Sequence, residues 1–459
     1  MPQDLPIKHA LPYHPDSACL FAAMAGKPWA VFLDSAFPVS RQGRFDILAH
    51  SPDCTLQTVG DVTTIEQAGN IVESREAPFE LLKRQLGLPK PGIVGLPFCG
   101  GALGYFGYDL ARRIERLPAL ARDDECIPDM AIGIYRWAVV VDHVLQQSWL
   151  VGYGLAPQTV DDLLADWSAS FDSPVQGRFH VEATPQANMS RSDYAQAFAR
   201  IKHYLKEGDC YQVNLTQRFS SPCAGDPWLA YRALRQVNAA PFSAYLNFPD
   251  VQVLSSSPER FLKLASGQVE TKPIKGTRPR RADAEADAAQ KQSLANSEKD
   301  RAENVMIVDL LRNDIGKCCR QGSVKAQALF TIETYATVHH LVSTVTGELA
   351  AGETAVDLLR SCFPGGSITG APKIRAMQII EELEPHRRGV YCGAIGYIGF
   401  DGNMDTNIAI RTLVHNRGTI RFWVGGGIVD DSRVDDEYQE CFDKAAAMFQ
   451  VLSSFSTTS

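Results

Sequence analysis

Four acidic side chains stand in two pairs, and each pair has the three-residue spacing that places both side chains on one face of a helix. Asp300 and Glu303 form the first pair in DRAENVMIVDLLRND, and Glu437 and Glu440 form the second in DDEYQECFDKAAAMF. Apolar residues follow each pair, so both predicted helices must bury one face. Two such helices could hold a hard divalent cation such as Mg²⁺ between them. For either helix alone, a solvated acidic surface is the simpler interpretation.

A lysine stands inside the strand-like segment TKPIKGTRPR, residues 271–280. Lys275 is either a surface residue whose stem covers apolar neighbours or an amine in a pocket, where an unpaired charge would be costly. From this segment alone the surface interpretation is favoured, because lysines are rarely buried. Glu259 precedes it in SSSPERFL at a predicted strand end, and His340 lies in the apolar strand ATVHHLVSTV. A histidine so placed is more often a hydrogen-bonded core residue than a catalyst.

Two glycine-rich segments could bind an anion. SCFPGGSITGAPKIRAM (361–377) lacks the pattern of a phosphate loop, because Lys373 follows a proline and no Ser or Thr comes after it. A helix that begins here could still offer free backbone amides to an anion. RFWVGGGIVDDS places the glycines 425–427 at a strand end, where something must approach the backbone closely. Together with Arg411, these segments favour a small polyanionic acid as the ligand.

The pattern of apolar residues predicts two portions joined by a polar connection. Residues 1–155 are predicted to be mainly strands, as in IYRWAVVVDHV, and residues 156–189 to connect them to the second portion. Residues 190–455 alternate helical and strand-like segments, and the Ala- and charge-rich segment 281–314 is predicted to be helical. There is no internal repeat. We therefore predict an α+β fold, with large mixed or antiparallel sheets and helices packed outside.

The bulk composition excludes several classes of protein. The chain has 459 residues, a net charge of −8 and a pI near 5.7, which argue against nucleic acid or anionic membrane as a partner. It contains no apolar run of the roughly 20 residues that span a bilayer, and its first residues lack the pattern of a secretory signal. The eleven cysteines are scattered without a CxxC pair, as is typical of reduced thiols. We expect a cytoplasmic protein.

Taken together, these segments resemble the chorismate-utilising enzymes. The motifs occur in order as GDCYQVNLTQRF, SPERFL, PIKGTRPR, DRAENVMIVDLLRNDIG, TVHHLVSTV, FPGGSITGAPKIRAM, YCGAIGYIGFDGNMDTNIAIRT and GGGIVDDS. They are densest between residues 190 and 445, and GGALGYFGYDLARR extends the resemblance into the first portion. The resemblance implies a two-sheet αβ complex, in which the N-terminal portion and the chorismate-binding portion share a core.

Within this family, two positions discriminate between activities. Anthranilate synthases as a class carry alanine where this chain has Lys275, whereas aminodeoxychorismate synthases carry lysine. Isochorismate and salicylate synthases carry a water-activating lysine at the position of Gln212, and glutamine cannot act as a general base. The resemblance therefore implies amination of chorismate to 4-amino-4-deoxychorismate, on the route to para-aminobenzoate and folate. The alternatives are an anthranilate synthase component and a catalytically silent regulatory or binding subunit, which would be expected to have lost Lys275, Glu259 or the acid pairs.

The resemblance also implies roles for the reacting groups. Lys275 would attack C2 of chorismate as a neutral amine, Glu259 would protonate the departing C4 hydroxyl, and ammonia would then enter at C4 and displace the lysine. His340 matches the family histidine beside the reacting ring. Whether the covalent route is obligatory stays open, because ammonia could also add directly.

The remaining site residues follow from the same resemblance. Glu303 and Glu440 would hold Mg²⁺ against the ring carboxylate, and Asp300 and Glu437 would bind it indirectly. With Lys373 added from the glycine-rich segment, the expected substrate-binding residues are Gly276, Thr277, Arg278, Lys373, Tyr391, Arg411, Gly425, Gly426 and Gly427.

Two partners are implied. No cysteine has the glycine-flanked context of a glutaminase nucleophile, so a separate glutamine amidotransferase subunit would supply the ammonia. Some relatives also hold tryptophan in a pocket between the two portions, which is inhibitory in anthranilate synthases. The LDS motif of this chain departs from their LES, and the role of the pocket stays open. The matching positions are Ser35, Gln42, Gly43, Arg44, Phe45, Pro241, Phe242 and Ser243.

Overall fold

The computed structural model of the chain describes residues 5–39, 43–170, 177–335 and 338–456. In chain order, the strands of these residues are β1 (Pro6–Leu11), β2 (Ala30–Asp34), β3 (Phe45–Ala49), β4 (Cys54–Val59), β5 (Val62–Gln67), β6 (Asn70–Ser74), β7 (Gly101–Phe106), β8 (Met130–Tyr135), β9 (Trp137–Asp142), β10 (Gln147–Tyr153), β11 (Phe179–Val181), β12 (Gln186–Ala187), β13 (Gln212–Gly225), β14 (Phe242–Phe248), β15 (Val251–Ser257), β16 (Arg260–Ala265), β17 (Gln268–Thr271), β18 (Ile274–Pro279), β19 (Lys325–Thr334), β20 (Val338–Glu348), β21 (Gly370–Ala371), β22 (Ala394–Gly399), β23 (Met404–Asn407), β24 (Thr412–Asn416) and β25 (Thr419–Ile428). The helices are α1 (Ser17–Phe21), α2 (Pro78–Leu86), α3 (Pro157–Ser170), α4 (Arg191–Lys206), α5 (Pro227–Val237), α6 (Ala284–Ala295), α7 (Glu298–Gly316), α8 (Ala355–Cys362), α9 (Lys373–Leu383) and α10 (Val434–Ser454).

The strands form two large sheets with antiparallel ladders, which confirms the predicted fold class. The first sheet has the order β1-β10-β9-β3-β2-β14-β15-β24-β25-β13-β11, and β12 and β21 also pair with β13. The second has the order β18-β20-β17-β16-β23-β22-β7-β8-β4-β5-β6, and β19 also pairs with β20. Strands from before and after the predicted connection meet in both sheets, at β2–β14 in the first and β7–β22 in the second. The two portions therefore share their sheets. The connection itself contains α3, β11 and β12.

The core has two layers on opposite faces of the first sheet. Val31 and Val253 point into the space between the two sheets, whereas their neighbours Phe32 and Leu254 point to the opposite face. This alternation is the two-residue period of a strand buried on both faces. Helices α1, α4, α5, α9 and α10 cover the outer face of the first sheet. Within the described ranges, every helix falls short of the combined length and apolarity that a bilayer span requires.

The segment 281–314 is helical, as predicted, and it contains the break between α6 and α7. α6 ends at Ala295, and the Ser297 side chain then accepts a hydrogen bond from the backbone N–H of Asp300. This N-cap satisfies a backbone donor that a new helix leaves free, so the chain can start α7 in a new direction. α7 packs on β18, β19 and β20 of the second sheet, whereas α10 packs on β25 of the first. The two acid pairs therefore come from helices on different sheets.

Candidate active site

Lys275 lies at a β-bulge in β18. Ile274 and Thr277 are three residues apart but pair with residues of β20 that are only two apart, so the register shifts across Lys275. A bulge of this kind re-aims a side chain at a sheet edge. The Nζ atom of Lys275 lies 3.5 Å from the main-chain oxygen of Ser367, in the turn before β21.

The environment of Lys275 favours a neutral amine. Part of the side chain is accessible, but protein atoms enclose the amine, and this burial lowers the pKa of the lysine. The negative charges of Glu303, Glu259 and Glu440 oppose the lowering, and the positive charge of Lys444 adds to it. Since burial dominates, the neutral fraction at a given pH exceeds that of an ordinary lysine, as a nucleophile requires.

Three hydrogen bonds among Ser257, Glu259 and Ile408 fix the backbone around Glu259. Ser257 Oγ donates to the carbonyl oxygen of Ile408 at 2.6 Å and accepts from the backbone N–H of Glu259 at 3.2 Å. The N–H of Ile408 donates in turn to the carbonyl oxygen of Glu259 at 3.0 Å. These bonds hold the strand end between β15 and β16, from which the side chain of Glu259 enters the site.

The carboxyl of Glu259 has the properties of a proton donor. Burial raises its pKa, while a hydrogen bond from Ser367 and the positive charges of Lys275, Lys444 and Arg411 oppose the increase. Ser367 Oγ lies 2.9 Å from Oε1 of Glu259. The Glu259 carboxyl therefore keeps its proton to higher pH than an exposed glutamate does.

His340 and Arg411 complete the wall beside these groups. Burial lowers the pKa of His340 to about 4, and the charge of Arg411 contributes to the lowering. The imidazole is thus neutral near neutral pH, and its Nδ1 is hydrogen-bonded to Thr277 Oγ1 at 2.8 Å. Arg411 donates to Asn238 Oδ1 at 3.3 Å and is otherwise enclosed, so burial lowers its pKa as well. A guanidinium so placed has donors left for a carboxylate ligand.

The predicted acid pair of α7 lies next to Lys275. Burial raises the pKa of Glu303; the positive charge of Lys275 opposes this, and the negative charges of Asp300 and Glu440 add to it. Asp300 Oδ2 accepts a hydrogen bond from Arg278 at 3.1 Å. The structure therefore brings α7 and the PIKGTR segment together.

The acid pair of α10 enters from the first sheet. Glu437 Oε1 accepts a hydrogen bond from Ser432 Oγ at 2.6 Å, and burial raises the pKa of this carboxyl. Glu440 forms an ion pair of 2.6 Å with Lys444, which also donates to the carbonyl oxygen of Gly425 at 2.9 Å. Lys444 thus ties the exposed end of the site to the glycine-rich strand β25.

Two glycines allow the acid-bearing helices to approach their sheets. Gly276 has a φ of +80°, and a Cβ there would lie 2.8 Å from Cγ of Asp300. A Cβ at Gly426 would lie 2.9 Å from Oε2 of Glu437. Any side chain at either position would push one of the acid pairs away from the site.

The four acids fit a hard cation in their chemistry. They offer only carboxylate oxygens, which Mg²⁺ prefers. Burial is the main cause of the raised pKa of Glu303, and the negative charges of Asp300 and Glu440 add to the increase. Among the residues that the structure describes, no three acidic, histidine or cysteine side chains converge closely enough to hold a metal ion.

Gln212 and Tyr391 are both buried. Gln212 lies against Gly427, and both amide atoms of its side chain are enclosed without a hydrogen-bond partner in the described structure. An enclosed amide without a partner is costly, and Gln212 can therefore accept a further polar contact. Tyr391 stacks on Trp423, with ring centroids 6.0 Å apart.

Lys373 differs from the other predicted substrate residues. Its Nζ is bound by Asp314 at 2.6 Å and by the carbonyl oxygen of Cys362 at 2.7 Å. It lines a separate cleft of about 850 Å³ between α7, α8 and α9. The structure therefore pairs the Lys373 ammonium with a buried carboxylate, away from the charges around Lys275.

The predicted tryptophan-pocket residues meet on the neighbouring strands β3, β2 and β14. Ser35 follows β2, and its hydroxyl and N–H both donate to Asp46, at 2.6 and 2.7 Å. Gly43 lies directly against Ser35, and Ser243 pairs across the ladder with Asp34. These residues are thus assembled into one polar cluster.

The other members of the set lie at its rim. Arg44 forms an ion pair with Asp142 at 2.7 Å and stacks over the ring of Phe45. Pro241 immediately precedes β14, and Phe242 begins that strand. Gln42 lies outside the described residues.

Ser367 and Lys444 contact the candidate site, although the sequence motifs indicate no role for either. Lys444 could have been found from its position one turn after Glu440. Ser367 is an ordinary serine in a glycine-rich segment, and only the folded chain reveals that it touches both Lys275 and Glu259.

Known proteins resemble this chain over almost its whole length. The model of a family described as chorismate binding enzyme matches residues 32–450. The aminodeoxychorismate synthase component 1 of Klebsiella aerogenes is 50% identical over 456 residues, which cover 98% of this chain and 99% of the relative. Its counterpart in Salmonella typhimurium is 48% identical over 449 residues, covering 97% and 98% of the two chains.

The fold also matches a solved structure. Anthranilate synthase component I from Streptococcus pneumoniae superimposes with a TM-score of 0.79 at 32% identity, covering 89% of this chain and 93% of that one. The two-sheet architecture is therefore shared with an enzyme whose sequence has diverged considerably.

Replacing Gly276 by alanine tests the close contact between β18 and α7. Gly276→Ala and the control Gly267→Ala introduce a side chain at nearly the same φ, +80° and +78°, but only Gly276 faces Asp300, whereas Gly267 faces open space. Both changes should carry the backbone penalty of about 1 kcal/mol, and Gly276→Ala should lose a further 1–3 kcal/mol from overpacking. Equilibrium denaturation measures the difference in the free energy of unfolding. Equal losses in the two variants would contradict the contact.

Proposed function

Because this chain belongs to the family of chorismate binding enzymes, we propose that it is the chorismate-aminating component of an aminodeoxychorismate synthase. Relatives of almost the same length that bear this name, at 50% and 48% identity, support the assignment. The reaction joins chorismate and ammonia to give 4-amino-4-deoxychorismate and water. The product is a precursor of para-aminobenzoate and folate.

The observation that carries the proposal is the contact of Lys275 and Glu259 with one residue, Ser367. Burial lowers the pKa of the lysine and raises the pKa of the glutamate, so the pair tends toward a neutral amine and a neutral acid. A neutral amine can attack carbon, and a neutral acid can protonate a departing hydroxyl. An anthranilate synthase would have alanine at position 275, which makes that activity the second candidate.

In the first half of the reaction, the lone pair of Lys275 Nζ forms a bond to C2 of chorismate. The two ring double bonds shift toward C4, and the bond between C4 and its hydroxyl oxygen breaks. Glu259 gives its proton to that oxygen, which leaves as water. The lysine nitrogen keeps both of its protons and remains on the ring as a secondary ammonium.

In the second half, ammonia attacks C4 and the double bonds shift back. The bond between C2 and Lys275 Nζ breaks, and the lysine is released as the amine. The carboxylate of Glu259 accepts the proton that the incoming nitrogen loses. Two displacements return the nitrogen to the face that the hydroxyl occupied. Gln212 has no basic atom to activate water, so it favours ammonia as the nucleophile.

The binding groups surround this centre. Arg411 and the backbone of 425–427 would bind the carboxylates of chorismate, with neutral His340 beside the ring. Mg²⁺ would be held chiefly by Glu303 and Glu440, with Asp300 and Glu437 nearby, and a bound divalent cation neutralises the ring carboxylate.

The partners and setting complete the proposal. The component 1 name of the relatives implies a second component, which we assign as a glutamine amidotransferase that delivers ammonia. The cluster around Ser35 would hold tryptophan at the junction of β2 and β14. All eleven cysteines are free thiols, which supports a cytoplasmic location.

A product assay tests the proposed function. Purified protein is incubated with chorismate, Mg²⁺ and ammonium at mildly alkaline pH, and the products are separated by chromatography and identified by mass. We expect 4-amino-4-deoxychorismate with its enolpyruvyl group intact, and loss of the product when a chelator replaces Mg²⁺. Anthranilate and pyruvate would instead identify the second candidate, and neither product would indicate a silent subunit.

Lys275→Ala tests the nucleophile. We expect a folded variant that still binds chorismate, with kcat reduced about 10²-fold or more because the displacement step is lost. Lys272→Ala is the matched control, since Lys272 lies three residues away and forms a half-exposed ion pair of 2.6 Å with Glu333.

The pH profile gives a second readout. Because the pKa of Lys275 is lowered, wild-type activity should rise with pH through a value below the usual lysine range near 10.4. Because Glu259 must be protonated, activity should fall as pH rises through its own raised pKa.

If Lys275→Ala reacted at the wild-type rate, Lys275 would have no catalytic role.

A further inference from the structure

We propose that Ser367 is the positioning residue of the catalytic pair, holding the Lys275 amine through its main-chain oxygen and the Glu259 carboxyl through its hydroxyl. This inference rests on the proposed function, and it adds to it a residue that fixes the nucleophile and the acid relative to each other. Ser367 itself need not touch the substrate.

The two contacts of Ser367 differ in strength. Its Oγ lies 2.9 Å from Oε1 of Glu259, an ordinary hydrogen-bond length. Its carbonyl oxygen lies 3.5 Å from Nζ of Lys275, at the outer limit of hydrogen bonding. The acid is therefore held firmly and the amine loosely, which suits an acid that stays in place and a nucleophile that must move to carbon.

Contacts of Gly366 and Thr369 hold the turn that carries Ser367 in place. Gly366 packs against the side chain of Leu310 in α7, where any Cβ would collide with it. Thr369 Oγ1 closes the turn by donating to the carbonyl oxygen of Gly365 at 3.1 Å. A residue in so tight a turn keeps its backbone position.

The residue after Ser367 is also clamped. The carbonyl oxygen of Ile368 accepts hydrogen bonds from Asn214 Nδ2 at 3.0 Å and from Arg388 at 2.9 Å. Arg388 is itself buried and bound to Glu384 by two hydrogen bonds of 2.9 and 2.7 Å. Such outer support is what keeps a functional group within a few tenths of an ångström of its working geometry.

The hydroxyl contact has a chemical consequence for the acid. Because Ser367 donates to Oε1, that oxygen is the acceptor, and the proton of the neutral acid resides on Oε2. Oε2 is then the oxygen that delivers the proton to the leaving hydroxyl. The same hydrogen bond favours the carboxylate and so opposes the increase in the pKa of Glu259 that burial causes.

Ser367→Ala and Ser367→Thr test this role together. We expect kcat to fall about 10- to 100-fold in Ser367→Ala, as for the loss of a hydrogen bond to a charged group, while KM for chorismate changes less than about twofold. The limb of the pH profile that reports Glu259 should move to higher pH, because the bond that favours the carboxylate is gone. Ser367→Thr keeps the hydroxyl and should restore both kcat and the position of that limb.

Two results would overturn the proposal. One is a wild-type kcat with an unmoved pH profile in Ser367→Ala. The other is an equal loss of kcat in Ser367→Ala and Ser367→Thr, which would indicate a packing role only. Circular dichroism and thermal unfolding check that each variant is folded. Should Ser367→Ala not fold, Ser367→Cys, with its weak donor, should shift the same limb in the same direction.

The wild-type protein in the same assay separates this proposal from the proposed function. If the wild type forms anthranilate, the proposed function fails, but the Ser367 comparison can still be made on that product. If the wild type forms 4-amino-4-deoxychorismate and Ser367→Ala matches it in kcat and pH profile, only the positioning role fails.

Discussion

The enclosure of a lysine amine and a glutamic acid in one site is the constraint on which the rest of the structure depends. Withdrawing both groups from water disfavours their charged forms, so the pKa of Lys275 is lowered and that of Glu259 is raised. Their mutual attraction works in the opposite direction, and burial outweighs it. The fold must therefore enclose the pair without giving either group a strong ion-pair partner, and Ser367, which is uncharged, is the residue that contacts both.

The two-sheet architecture meets this constraint by supplying the site from both sheets. β18 and α7 of the second sheet contribute Lys275 and Glu303, whereas β25 and α10 of the first contribute the glycine-rich strand and Glu440. α7 approaches β18 closely because Gly276 carries no side chain, and α10 approaches β25 closely because Gly426 carries none. The resulting excess of carboxylates next to the amine is suited to a divalent cation, which would complete the charge balance when substrate carboxylates enter.

Much of this arrangement could be predicted from the sequence, because ordered motifs identify the family and carry its fold with them. The same motifs point to the acid pairs, Lys275 and Glu259, although the segment around Lys275 on its own favours a surface residue. Three features could not be read from the chain. The bulge at Lys275 depends on pairing with a distant strand. The ion pair of Lys373 with Asp314 depends on the start of α9 lying beside the end of α7, and Ser367 gains its role only from its neighbours.

The most direct test of the account is the mass of the protein after it is mixed with chorismate and Mg²⁺ without ammonia and quenched in acid. We predict a fraction of chains heavier by chorismate less one water, with the added mass mapped to the peptide that contains Lys275 and absent from Lys275→Ala. The adduct should disappear when ammonium is added as product forms. Product formation without any adduct on Lys275 would contradict the covalent route and leave direct addition of ammonia at C4.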